Sequence, residues 1–83
     1  MGYSLIIGEE VSEVLAAMDD TTHELFMLAM LDIGTDPHGY GRIVRAIGAM
    51  EERAMDLASM GLIFWRVDDS AGTIRIASII WLG

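Results

Sequence analysis

Cysteine and lysine are both absent from this 83-residue chain, and each absence excludes something. Without cysteine there is no disulfide framework, which fits a reducing, cytoplasmic setting. Without lysine every cation is an arginine: Arg42, Arg45, Arg53, Arg66 and Arg75, against 13 acidic side chains. The net charge of −8 predicts poor binding to phosphate backbones, because that affinity rests on several Lys/Arg contacts. Long apolar runs are missing too. The longest, Leu25 to Leu31, is seven residues, against about 20 needed to cross a bilayer. Met1-Gly2-Tyr3-Ser4 has neither the positive start of a signal peptide nor a basic patch to support a lipid anchor. The expectation is a cytoplasmic protein that binds no nucleic acid and no membrane.

What is present is strongly apolar. Hydrophobic residues make up 53% of the chain and mean hydropathy is +0.44, which excludes disorder. The length allows a single domain, residues 1–83. So much apolar surface on so small a chain predicts a homodimer that hides part of it. The carboxylates are spread along the chain with no evident face, so their expected role is solubility rather than mimicry of nucleic acid.

The apolar period changes along the chain. Tyr3 to Ile7 reads as a short strand ended by Gly8. Val11, Val14, Leu15 and Met18 mark one face of a first helix, with Glu9, Glu10 and Glu13 at its positive end. Thr21 and Glu24 form a capping-box signature for a second helix, about Thr22 to Ile33, with Gly34 as its C-terminal cap. Asp36 to Gly41 is a loop. Leu62 to Val67 and Thr73 to Trp81 are β-branched and aromatic runs joined by Asp68-Asp69-Ser70-Ala71-Gly72, a hairpin. Between them, Arg42 to Ser59 is ambiguous. Ile43, Ile47, Met50, Ala54 and Leu57 have helical spacing, whereas completing a sheet calls for a strand from about Glu52 to Ser59.

This order of elements resembles the RelE/ParE toxin superfamily. The pieces that carry the resemblance are Tyr3-Ser-Leu-Ile-Ile7, Thr35-Asp36-Pro37, Ile63-Phe-Trp-Arg-Val-Asp-Asp69 and Thr73 to Trp81. It implies an α+β fold with a short N-terminal strand, two helices and a three-stranded antiparallel sheet (β-α-α-β-β-β). It therefore favours the strand at Glu52 to Ser59. RNA-cleaving members resemble one another in bearing lysines, arginines and often a tyrosine or histidine on the open sheet face. Here lysine is absent, Leu62 replaces the arginine that opens the third strand, and Trp81-Leu82 replaces the His-Arg end of the last. These departures imply a non-catalytic member that binds a protein, either an antitoxin-like partner or a cellular target. The alternatives are an RNA-cleaving toxin whose five arginines converge on the open face, and an orphan structural or regulatory homodimer.

The expected partner-binding residues are Arg53, Arg66 and Arg75, as the polar residues within strands, with Trp81 at the rim. Such arginines either receive an acidic or aromatic segment of a partner, or pair internally with Asp56, Asp68 or Asp69. No catalytic residue, metal site or cofactor is expected. His38 beside Asp36 lacks a third ligand at a metal-site spacing, and His23 reads as a solvated neighbour of a cap. The serines have no nucleophile-elbow context, and Gly39-Tyr40-Gly41 lacks the lysine of a phosphate loop.

Overall fold

Two helices form where the apolar residues recur at three and four. In the computed structural model, which describes residues 3–57 and 60–82, strand β1 (Ser4–Ile7) leads into α1 (Glu9–Ala17) and α2 (Asp20–Thr35). Val11 and Leu15 bury the inner face of α1, and Glu9 and Glu10 occupy its first turn. The cap of α2 is Asp19 rather than Thr21. Its carboxylate accepts from the Thr22 amide at 2.7 Å, and that bond holds the Asp19 carboxyl below its usual range. A carboxylate is a stronger acceptor for an exposed amide than the Thr21 hydroxyl, so the helix begins earlier than the capping box predicts. Phe26, Ala29, Met30 and Ile33 form the buried face of α2. Its outward face is also apolar, with Leu28 52% and Leu31 60% exposed.

The ambiguous segment is not a helix. It is two strands, β2 (Arg42–Ile47) and β3 (Met50–Asp56), paired antiparallel. Gly48 sits at φ +58° between them and starts a two-residue turn that closes on the Ile47–Met50 pair. A bulge between Ile43 and Arg45 adds one residue, Val44, to β2. Bulge and turn together break the alternation, so Ile43, Ile47, Met50 and Ala54 imitate helical spacing while lying on both faces of a sheet. Ala58 and Ser59, where both sequence readings of this segment end, lie outside the described residues.

Strands β4 (Gly61–Asp68) and β5 (Thr73–Trp81) form the expected hairpin. Asp68 closes its turn by accepting from the Ser70 and Ala71 amides at 3.0 and 3.1 Å. The sheet has five strands in the order β1-β5-β4-β3-β2, with only β1 parallel to its neighbour. It is thus larger than the three strands expected, within the same α+β class. A bulge at Ala77 lets Ile74, Ile76 and Ile79 all face the helices, leaving Ser78 and Ile80 on the other side. That explains why β5 reads as apolar on both faces. It is also an inner strand, flanked by β1 and β4. Phe26, Met30, Ile33, Ile63, Trp65, Val67, Ile74 and Ile76 are the fully buried side chains between helices and sheet. Each contributes roughly 1.5–3 kcal/mol by leaving water.

Candidate functional site

With both helices on one face, the other face of the sheet is open, and the register determines what it carries. One transverse row reads Arg45 (β2), Glu52 (β3), Arg66 (β4), Arg75 (β5) and Ile6 (β1), each residue paired with the next. Adjacent strands lie about 4.8 Å apart, so the four charged positions span about 14 Å. The next row holds Arg42, Ala54, Phe64 and Ser78. Hence four of the five arginines share this face. Arg66 Nε donates to Glu52 Oε2 at 2.6 Å, and Arg45 Nε faces Oε1 at 3.0 Å. The Arg66 hydrogen bond, with Arg45 beside it, holds the Glu52 carboxyl below its usual range. Arg66 and Arg75 stand directly opposite one another, a like-charge pair that costs stability unless an anion joins it. Among the described residues, no carboxylate lies within 4.0 Å of Arg75.

The acidic charge lies elsewhere. Residues 1–41, which form β1 and both helices, hold eight carboxylates and no arginine, whereas residues 42–83 hold five of each. The entire net charge of −8 is therefore carried by the part that builds the helical side. Averaging over the chain hides this uneven distribution, and on the open face four arginines stand against Glu52, Asp56 and Asp68.

The structure separates the four residues expected to bind a partner. Arg66 and Arg75 meet on the open face. Arg53 is paired with Trp65 and so points to the helical side, where it is buried. There its Nη1 donates to Glu51 Oε1 at 2.6 Å and its Nε to the Tyr40 carbonyl at 2.9 Å, tying the loop after α2 to β3. Trp81 pairs with Gly61 on that same side and packs, half-buried, against the core. Arg45 and Glu52 were missed, because only the register brings them beside Arg66. The internal partners also differ from those expected: Arg66 takes Glu52 and Arg53 takes Glu51.

His38 holds a second polar cluster, at the end of the sheet. Its Nδ1 lies 3.0 Å from Glu51 Oε1 and its Nε2 3.0 Å from Asp69 Oδ1, while Tyr3 donates to Asp69 at 2.5 Å. A ring with carboxylates on both nitrogens donates to both only as imidazolium. Asp69 and then Glu51 raise the His38 pKa above 6.5. Arg53 and then His38 lower that of Glu51, and Tyr3 and then His38 lower that of Asp69. The raised His38 pKa stabilises the fold fully below 6.5, and this is lost as pH rises through its folded value. The lowered carboxylates stabilise above their ordinary values of 4.5 and 3.8, and this is lost as pH falls through their folded ones. Thermal melts are therefore expected to peak between about 4.5 and 6.5. His38→Ala should remove the decline on the alkaline side; a variant that keeps it would show the cluster to be uncoupled from stability. Among the described residues no three His, Asp or Glu groups converge as metal ligands. Nor is any described helix long and apolar enough to cross a membrane.

No protein-family model and no curated protein matches the chain. Solved structures do. The RelE–RelB complex from the archaeon Pyrococcus horikoshii OT3 matches with a TM-score of 0.87 at 15% identity, covering 100% of this chain and 98% of that one. The isolated E. coli RelE toxin matches at 0.78 and 15%, covering 98% and 85%. An arginine-to-alanine double mutant of E. coli RelE in the free state matches at 0.68 and 15%, covering 95% and 82%. The chain has the RelE-like fold over its whole length. These neighbours overturn the expectation of a non-catalytic protein binder, since the fold they share with this chain is that of RelE toxins. The expected homodimer gains no support from them, the companion chain in the Pyrococcus structure being RelB.

Proposed function

We propose that this protein is an RNA-cleaving toxin of a toxin–antitoxin pair, acting through the open face of its sheet. One observation carries the reading: four of five arginines gather on that face, while the part that builds the helical side holds the whole acidic excess. Cleavage beside a 2′-hydroxyl forms a bond from the 2′-oxygen to phosphorus and breaks the bond from phosphorus to the 5′-oxygen. The 2′ proton passes to water, and the departing 5′-oxygen takes a proton from water. Extra negative charge builds on the phosphoryl oxygens at the midpoint, where Arg45, Arg66 and Arg75 would stabilise it. No histidine lies on this face, so these residues supply charge rather than proton transfer. Leu62 and Trp81-Leu82 limit the chemistry in the same sense.

The partner in this reading is an antitoxin-like protein. The outward apolar face of α2, at Leu25, Met27, Leu28 and Leu31, is set among carboxylates without a nearby arginine in sequence. It suits a segment that is apolar and basic.

The test is cleavage by the purified protein of RNA presented free and on translating ribosomes. Wild type is expected to cut, and the Arg66→Ala/Arg75→Ala double variant to lose on the order of 100-fold, the effect of removing charge-stabilising groups. Its melting temperature should stay close to that of the wild type, because the Arg66–Glu52 pair it loses is exposed and the Arg66–Arg75 repulsion is relieved. Absence of any cut by the wild type, in both presentations, would sink the proposal.

A further inference from the structure

We infer that Arg45 and Arg66 form a seat for one phosphodiester group of RNA, and that Glu52 fills this seat until RNA displaces it. The inference rests on the RNA-acting reading and names the residues of that face which meet the backbone.

The geometry is that of one anion held between two guanidinium groups. Each Glu52 oxygen faces a different arginine Nε, at 2.6 and 3.0 Å. Two non-bridging oxygens of a phosphate offer the same pair of charged acceptors. Arg45 is 61% exposed, Arg66 47% and Glu52 22%, so an anion from solvent can reach the pair. Ion pairs this exposed contribute little to stability, and stability therefore does not explain why three charged residues share one row.

The surroundings fit a strand of RNA. A groove of about 200 Å³ beside the seat is lined by Val44, Glu52, Phe64, Arg66 and Ser78. Phe64 lies two residues from Arg66 on the same face of β4, about 7 Å away. A partly exposed ring there offers a base a surface to stack on while its phosphate occupies the seat. Arg75 continues the row beyond Arg66, toward the next phosphate. Glu52 competes with the backbone for both arginines, so the free protein binds RNA less tightly than its open-face charge allows.

Binding of a short 2′-O-methyl RNA, which lacks the attacking hydroxyl and stays uncut, isolates this effect. Glu52→Gln keeps the shape and removes the charge. It is expected to bind about tenfold tighter at roughly 150 mM salt, with a log–log salt slope steeper by about 0.7 for each phosphate gained. Glu52→Ala, which leaves no oxygen for either arginine, should move in the same direction. Adding Arg66→Ala to Glu52→Gln should cancel the gain. Unchanged, weaker or undetectable binding by both Glu52 variants, with melting temperatures showing that they fold, would overturn the seat. Cleavage of unmodified RNA separates this outcome from the broader reading. If the wild type cuts while the Glu52 variants bind no better, the toxin reading stands without the seat. If those variants bind tighter and nothing is cut, the seat stands and the cleavage reading fails.

Discussion

Trp65→Ala is expected to remove a large part of the protein's folding stability and to lower its urea midpoint sharply. Trp65 is fully buried, pairs with Arg53 on one side and Ile76 on the other, and donates from Nε1 to the Pro37 carbonyl at 3.2 Å. The loop that carries the chain from α2 to β2 closes over it. A side chain at Gly41, where φ is +67°, would come 2.2 Å from the Ala54 carbonyl oxygen and 2.9 Å from the indole ring. Removing the ring costs about 3–5 kcal/mol in lost transfer energy and residual cavity. The orphaned Pro37 carbonyl adds to that cost where water does not reach it. A domain of this size holds roughly 4–12 kcal/mol in all, at 0.05–0.15 kcal/mol per residue. Trp65→Phe keeps most of the apolar volume, loses the hydrogen bond, and should fold with a lower urea midpoint. Circular dichroism during urea titration decides the matter. A cooperative transition for the alanine variant near the wild-type midpoint would mean that the core does not depend on this ring.

Truncation after Ser78 should likewise abolish cooperative folding rather than trim a tail. It removes the residues that pair with Gly61, Leu62 and Ile63, and it exposes the far edge of β4. Ile79, 92% buried by its 8% exposure, is lost from the core beside Ile63. That side chain alone is worth about 2–3 kcal/mol. The half-buried Trp81 goes with it, as does the bond from the Leu82 amide to the Met60 carbonyl at 2.9 Å. The expected result is a poorly dispersed amide NMR spectrum. A dispersed spectrum from the truncated chain would show that the last strand is dispensable, and with it the role assigned to the Ala77 bulge.

Much of the architecture was legible in the sequence. Helical periods at Val11–Met18 and Leu25–Ile33, the Asp/Ser/Gly turn and the two β-branched runs are local signals, and each formed the element it indicates. Their order along the chain is that of the RelE-like fold. The cap of α2 was misplaced only because two neighbouring side chains compete for the same exposed amides. The concentration of carboxylates in residues 1–41 was also visible, although a chain-wide average concealed it.

Tertiary structure decided what lies beside what. Residues 42–56 have helical spacing yet pair as strands, because a sheet with an unsatisfied edge gains more from a ladder than a short isolated helix gains from propensity. One extra residue in a strand flips every later side chain to the other face, so Val44 and Ala77 determine which side Arg45, Ser78 and Ile79 take. Arg53 and Arg66 look alike in the sequence, but one ties down a loop under the helices and the other faces open solvent. His38 gained its two carboxylates from segments 13 and 31 residues away. Periodicity records how a segment meets its own neighbours in sequence. Register across strands depends on a partner that the segment does not encode, and on this chain the register made the arginine row.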